Sequence, residues 1–251
     1  MAVFLVSVFV FSAVNLLIVL AEYRKSDQQY SAMQNDYVIR TVSTTISPEM
    51  NLETELAPQP DGLTAPIDID FVGLLQKNSD VVGWLYCEDS VINYPVVQGD
   101  NNDEYLHKGL DGEYLRSGSL FVEAHNQLVG ADPNYIIYGH SMKNGSMFGM
   151  LLHYKEQEYY DGHPVMYYLT PEGDYCIELF AGKVVKTTDP IYSVKDGSAE
   201  FYEQVQTLRE KSTFQSDVTI TEQDTIVTLS TCSYEFDQAR YIVLGKLVPI
   251  E

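Results

Sequence analysis

Thr228-Leu229-Ser230-Thr231-Cys232 closes a β-branched run that begins at Ile226, and Arg240 leads into the next such run, Tyr241 to Leu247. The pattern predicts two strands, with a thiol at the end of one and a permanent cation on its neighbour. A cysteine that only packs has no need of that company. One that attacks carbonyls does, because the thiolate is the nucleophile and nearby positive charge favours it. Such chemistry also requires a proton donor, a substrate groove and a suitable compartment.

Outward from this pair, the chain reads as mainly β. Val81 to Tyr86 and Val91 to Val97 are strand-like and separated by the turn-forming Glu88-Asp89-Ser90. Ser119 to Val122, Asn134 to Tyr138, Val165 to Leu169 and Tyr175 to Val185 follow. With Ile226 to Ser230 and Tyr241 to Leu247 this makes about eight short strands, the pattern of a barrel or sandwich. Asp68 or Asp70 caps a short helix through Leu75 to Lys77. A second short helix is read over Phe148 to Tyr154. A third, Ser198 to Lys211, sets Phe201, Val205 and Leu208 on one face, in the long connection before the cysteine strand.

A chain of 251 residues with 45% hydrophobic content can fill one sizeable domain plus appendages. Cys87, Cys176 and Cys232 are too few and too scattered for a disulfide framework or a zinc site. Two buried thiols are expected at Cys87 and Cys176, with a disulfide between them as the alternative. The net charge of −21 argues against nucleic acid or an anionic lipid surface as a partner of the domain. Nothing in the residue pattern calls for a cofactor, and no metal is expected.

The N-terminus is different in kind. Ala2 to Ala21 carries no charge, and only Ser7, Ser12 and Asn15 are polar, enough apolar length to cross a bilayer as a helix. A cleaved signal peptide is the rival, since Val19 and Ala21 suit a cleavage site before Glu22. The expectation is a single anchor over residues 1–21 with the domain on the extracellular face of the cell membrane. The basic flank that would normally precede such an anchor is missing, and Arg24 and Lys25 lie on its far side. Residues 22–66 read as a polar stalk. Ser26 to Arg40 is compatible with helix continuing from the membrane, and Thr41 to Pro66 has the composition of a spacer. The folded domain is expected over 67–251.

Among the five histidines, His107, His125, His153 and His163 lie in polar or loop surroundings, where a solvated or hydrogen-bonded ring is the ordinary role. His140 differs: it ends the apolar run Tyr135-Ile136-Ile137-Tyr138 after a glycine and precedes a glycine-punctuated turn. From a strand end it can reach across a barrel mouth to Cys232, since Cys and His partners meet only in the fold.

Ile136-Ile137-Tyr138-Gly139-His140, Met142-Lys143-Asn144-Gly145, Thr228-Leu229-Ser230-Thr231-Cys232 and Arg240 together resemble the class B sortases. The likeness extends to Val81-Val82-Gly83-Trp84-Leu85, Tyr94-Pro95-Val96-Val97-Gln98, Asn102-Asp103-Glu104-Tyr105-Leu106 and Gly118-Ser119-Leu120-Phe121, in the family's order from Ile67 to Val248. The resemblance implies an eight-stranded sortase-type β-barrel with a helix inserted before the cysteine strand. It implies a membrane-anchored cysteine transpeptidase that cleaves the sorting signal of secreted proteins and passes them to a peptidoglycan precursor or cross-bridge amine. Carried over, it makes Cys232 the nucleophile, His140 the general acid and base, and Arg240 the oxyanion stabiliser.

Asn102, Ser230, Thr231 and Tyr192 are substrate-groove candidates on the same likeness. A turn-stabilising role competes for Asn102, and a plain strand role for Ser230 and Thr231. Tyr138 reads as a packed strand residue. Ser233 stands where some relatives carry an acidic residue, so no acidic partner is assigned there. Three rivals remain: a pilin-polymerising sortase of another class, a Cys–His wall peptidase, and an anchored structural protein with Cys232 buried. The last would usually end in its own sorting signal and hydrophobic tail, whereas this sequence ends Val248-Pro249-Ile250-Glu251.

Overall fold

The computed structural model describes residues 2–40 and 64–250. It opens with a helix, α1 (Ala2–Tyr37), followed by β1 (Val38–Arg40). The first part of α1 exposes Phe4, Phe9, Phe11, Leu16 and Leu17 to its surroundings. Its later part docks on the barrel. Tyr30 and Met33 are buried, and Ser26 shares a hydrogen bond with Ser117 at 2.6 Å. Lys25 Nζ donates to the Tyr114 carbonyl at 3.0 Å, Arg116 pairs with Glu22 at 2.8 Å, and the Tyr30 hydroxyl donates to the Gly118 carbonyl. Of the segment read as a stalk, residues 22–40 are thus the end of α1 together with β1, and residues 41–63 lie outside the described residues.

β1 pairs antiparallel with β2 (Ile67–Ile69), a two-stranded ribbon that no alternation in the sequence announced. Asp70 then caps α2 (Phe71–Lys77), its carboxylate accepting from the Gly73 amide at 3.0 Å. The barrel follows in β3 (Val81–Tyr86), β4 (Asn93–Val97), β5 (Leu120–Val122) and β6 (Asn134–Tyr138). A 3-10 helix (Phe148–Lys155) and α3 (Gln157–Gly162) lead to β7 (Val165–Thr170) and β8 (Gly173–Lys186). A short 3-10 turn (Pro190–Tyr192) and α4 (Ala199–Glu210) fill the connection to β9 (Ile226–Cys232), and β10 (Ala239–Ile250) ends the fold.

These eight strands close in the order β10-β8-β7-β3-β4-β5-β6-β9, with β9 returning to β10. Closure gives each of these eight strands a partner on both sides, so the barrel presents no edge strand. Two pairs are parallel, β4 with β5 and β6 with β9, and the rest are antiparallel. Trp84, Tyr154, Tyr168 and Phe148 are among the large side chains that fill the main core. A second core forms where Phe201, Val205 and Leu208 of α4 cover Phe180, Ile242 and Leu244, as the helical spacing predicts. Cys87 and Cys176 are free and buried, so the alternative disulfide is not formed.

Two glycines fix the backbone near His140. Gly139 has Leu120 and Phe148 so close that a side chain would displace them, which lets the chain leave β6 tightly packed on the way to His140. Gly118 has a φ of 55° in the left-handed region, and a Cβ there would strike the carbonyl oxygens of Leu106 and Tyr105. Gly118→Ala is therefore expected to cost on the order of 2 kcal/mol. Calorimetry should show a thermal midpoint lower by roughly 4 °C or more. An unchanged midpoint would show that the Leu106–Gly118 packing yields freely.

Candidate active site

Parallel pairing sets Tyr138 of β6 opposite Ser230 of β9, and antiparallel pairing sets Arg240 of β10 opposite Cys232. The ladder continues past β6, since the Gly139 amide donates to the Ser230 carbonyl at 3.2 Å. Thr231 Oγ1 returns a bond to the Gly139 carbonyl at 2.8 Å. His140 therefore leaves the barrel beside Cys232, on the neighbouring strand. The expected reach across the mouth is corrected: parallel strands end on the same rim, so no crossing is needed.

A cavity of about 660 Å³ opens at this rim. Cys232, His140 and Arg240 line it, and so do Asn102, Ser230, Thr231 and Tyr192. The seven candidates thus share one cavity, with different side-chain commitments. Ser230 Oγ is bonded to the Tyr192 hydroxyl at 2.8 Å, and Thr231 holds the rim through the Gly139 carbonyl. The Asn102 carbonyl oxygen accepts from the Ala124 amide at 2.9 Å, while its amide donates to Glu123. Arg240 Nη1 donates to the Ala239 carbonyl at 3.1 Å.

His140 Nε2 lies 2.7 Å from the Leu106 carbonyl oxygen. A carbonyl only accepts, so Nε2 carries the hydrogen and Nδ1 is left as the nitrogen able to gain or lose a proton. Burial pushes the His140 imidazole below its ordinary range, and positive charge on His107 and Arg240 pushes the same way; the Leu106 bond partly opposes this.

Glu123 and Tyr138, neither singled out as a site residue by the sequence, form part of the wall. Glu123 is almost fully buried and accepts from His125 Nδ1 at 2.7 Å, from Asn102, and from the Tyr138 hydroxyl at 3.2 Å. Burial alone would raise its carboxyl. The bonds from His125, Asn102 and Tyr138 outweigh that and hold it below the ordinary carboxylate range. Tyr138 stacks on Tyr192 with ring centroids 6.3 Å apart, and burial lifts the Tyr192 hydroxyl to about 12. An acidic residue continuing the apolar run Leu120-Phe121-Val122 was the available signal for Glu123. The role of Leu106 belongs to a backbone carbonyl, which no residue type announces.

The model of the Sortase domain family matches residues 85–248. Sortase B of Listeria monocytogenes is 38% identical over 180 residues, 69% of this chain and 72% of that protein. Among solved structures, a Staphylococcus aureus sortase B–substrate complex superposes with a TM-score of 0.68 at 32% identity, covering 72% of this chain and 85% of the other. Sortase B from B. anthracis in complex with AAEK1 gives a TM-score of 0.72 at 31% identity, covering 92% and 99%.

Glu123→Ala leaves the Asn102 amide and the Tyr138 hydroxyl without their acceptor, at an expected cost of about 1–3 kcal/mol. Chemical denaturation measures it, and Glu123→Gln, which keeps a carbonyl oxygen, should lose less. Equal stability of all three proteins would remove Glu123 from the architecture of the wall.

Proposed function

The chain belongs to the sortase family as a class B cysteine transpeptidase, and on that premise we propose that Cys232 is its nucleophile, His140 its proton carrier and Arg240 its oxyanion donor. The observation that supports this most is the cross-strand pairing of Cys232 with Arg240, beside His140 on the parallel strand, in one cavity.

In the proposed reaction the Cys232 thiol passes its proton to His140 Nδ1. The resting imidazole is held neutral by burial, and it becomes stable as imidazolium once negative charge sits on Sγ. The thiolate attacks the carbonyl of a threonine in the sorting signal, forming an S–C bond. Arg240 turns guanidinium N–H groups toward the oxygen as it becomes negative. Collapse breaks the C–N bond, and His140 hands its proton to the departing amine, leaving a thioacyl enzyme. A peptidoglycan amine then enters, gives its proton to His140 and attacks the thioester. Collapse breaks the S–C bond and releases the new amide, and the proton on His140 returns to the Cys232 thiolate.

The aromatic wall of Tyr138 and Tyr192 and the polar group of Asn102 and Ser230 would receive the extended signal. Residues 1–21 are proposed as the anchor and 67–251 as the catalytic domain, with residues 22–66 between them. Twenty helical residues from Ala2 to Ala21 rise about 30 Å, the thickness of a hydrocarbon core. The domain would stand on the extracellular face, where wall precursors are exposed.

Cys232→Ala and His140→Ala are expected to abolish peptide cleavage and amine transfer in a fluorescence and chromatography assay, with circular dichroism unchanged. Turnover by either variant at the wild-type rate would sink the mechanism. Arg240→Lys keeps a charge and loses the planar donor fork, so kcat/KM should fall about 100-fold, near 3 kcal/mol. A lysine variant with native kcat/KM would remove Arg240 from the oxyanion site.

A further inference from the structure

His107 lies one residue beyond the carbonyl that fixes His140, and its ring stacks on the His140 ring with centroids 5.2 Å apart and planes 16° apart. His107 Nδ1 donates to the Arg116 carbonyl at 3.3 Å, and the Tyr114 ring lies tilted against it with centroids 6.0 Å apart. The loop that carries these groups is tied at both ends. The Leu115 amide donates to the His107 carbonyl at 3.0 Å and the Ser119 amide to the Tyr105 carbonyl at 3.1 Å. α1 clamps the same loop through Glu22, Lys25, Ser26 and Tyr30.

We propose that His107 is a positioning residue for His140: fixed to the Arg116 carbonyl, its ring holds the plane of the His140 imidazole and governs the charge beside it. The inference rests on the proposed role of His140 as proton carrier. Nε2 of His140 is pinned by Leu106, but one hydrogen bond leaves the ring free to rotate about it. A flat neighbour at stacking distance removes that freedom and keeps Nδ1 in one orientation. The imidazole of His107 is exposed, and positive charge on it opposes the imidazolium of His140. The other titratable or charged groups around the His140 cavity are Cys232, Arg240, Tyr138, Tyr192, Lys195 and Glu123 with its partner His125. Those beside His107 are Tyr114 and Arg116, the latter paired with Glu22.

The test uses the full chain in detergent. His107→Ala is expected to lower kcat by up to about 100-fold with KM little changed, the scale of a misplaced reacting group. His107→Phe keeps the flat face and should retain most of the rate. In both variants the imidazole NMR titration of His140 should move to higher pH, because a neighbouring cation is gone. The limb of the pH–rate profile set by His140 should follow it. An unmoved His140 titration in both variants overturns the proposal whatever the rate, and so does His107→Ala with wild-type kcat. The titration is read without turnover, so its failure is distinct from failure of the proton-carrier role, which His140→Ala tests separately.

Discussion

The parallel pairing of β6 with β9 is the constraint on which the site depends. Strands that run the same way end on the same rim, so the residue two beyond Tyr138 and the residue two beyond its partner Ser230 emerge side by side. These are His140 and Cys232. β10 runs back from that rim, and its register sets Arg240 directly against Cys232. A parallel pair cannot be joined by a tight turn. The long path from β6 to β9 therefore carries β7, β8 and α4, and also Tyr192, which returns to bond Ser230 at 2.8 Å.

The wall around this rim is governed by burial. Removal from water raises the hydroxyls of Tyr138 and Tyr192 and lowers the imidazole of His140, so these groups rest neutral. Glu123 keeps its charge because hydrogen bonds from His125, Asn102 and Tyr138 replace the water it lost. One buried carboxylate thereby organises both sides of the cavity, the loop bearing Asn102 and the strand bearing Tyr138. α1 extends the same rigidity outward, since the helix that continues the apolar N-terminus also clamps the loop carrying Leu106 and His107.

Much of this was legible in the chain. β-branched runs marked the eight barrel strands to within a few residues, because strands packed on a core must place apolar groups regularly. Asp68 or Asp70 marked the start of α2, where Asp70 is the cap, and the spacing of Phe201, Val205 and Leu208 announced α4, which Ser198 caps. The β1–β2 ribbon was not legible, because three-residue strands carry no period and are stabilised by a partner about thirty positions away. Glu123 was missed for a related reason: two of its three donors, Asn102 and Tyr138, come from other segments.

By itself the sequence determined the strand-forming runs, the apolar N-terminus and the side chains proposed here for thioacyl transfer: Cys232, His140 and Arg240. Those properties reside in single side chains and short-range periodicity. Tertiary structure alone decided that His140 stands beside Cys232 instead of across from it, that Leu106 fixes its tautomer, and that His107 covers its ring. Each of these depends on backbone register and on loops closed by contacts distant in sequence, where residue identity carries no address.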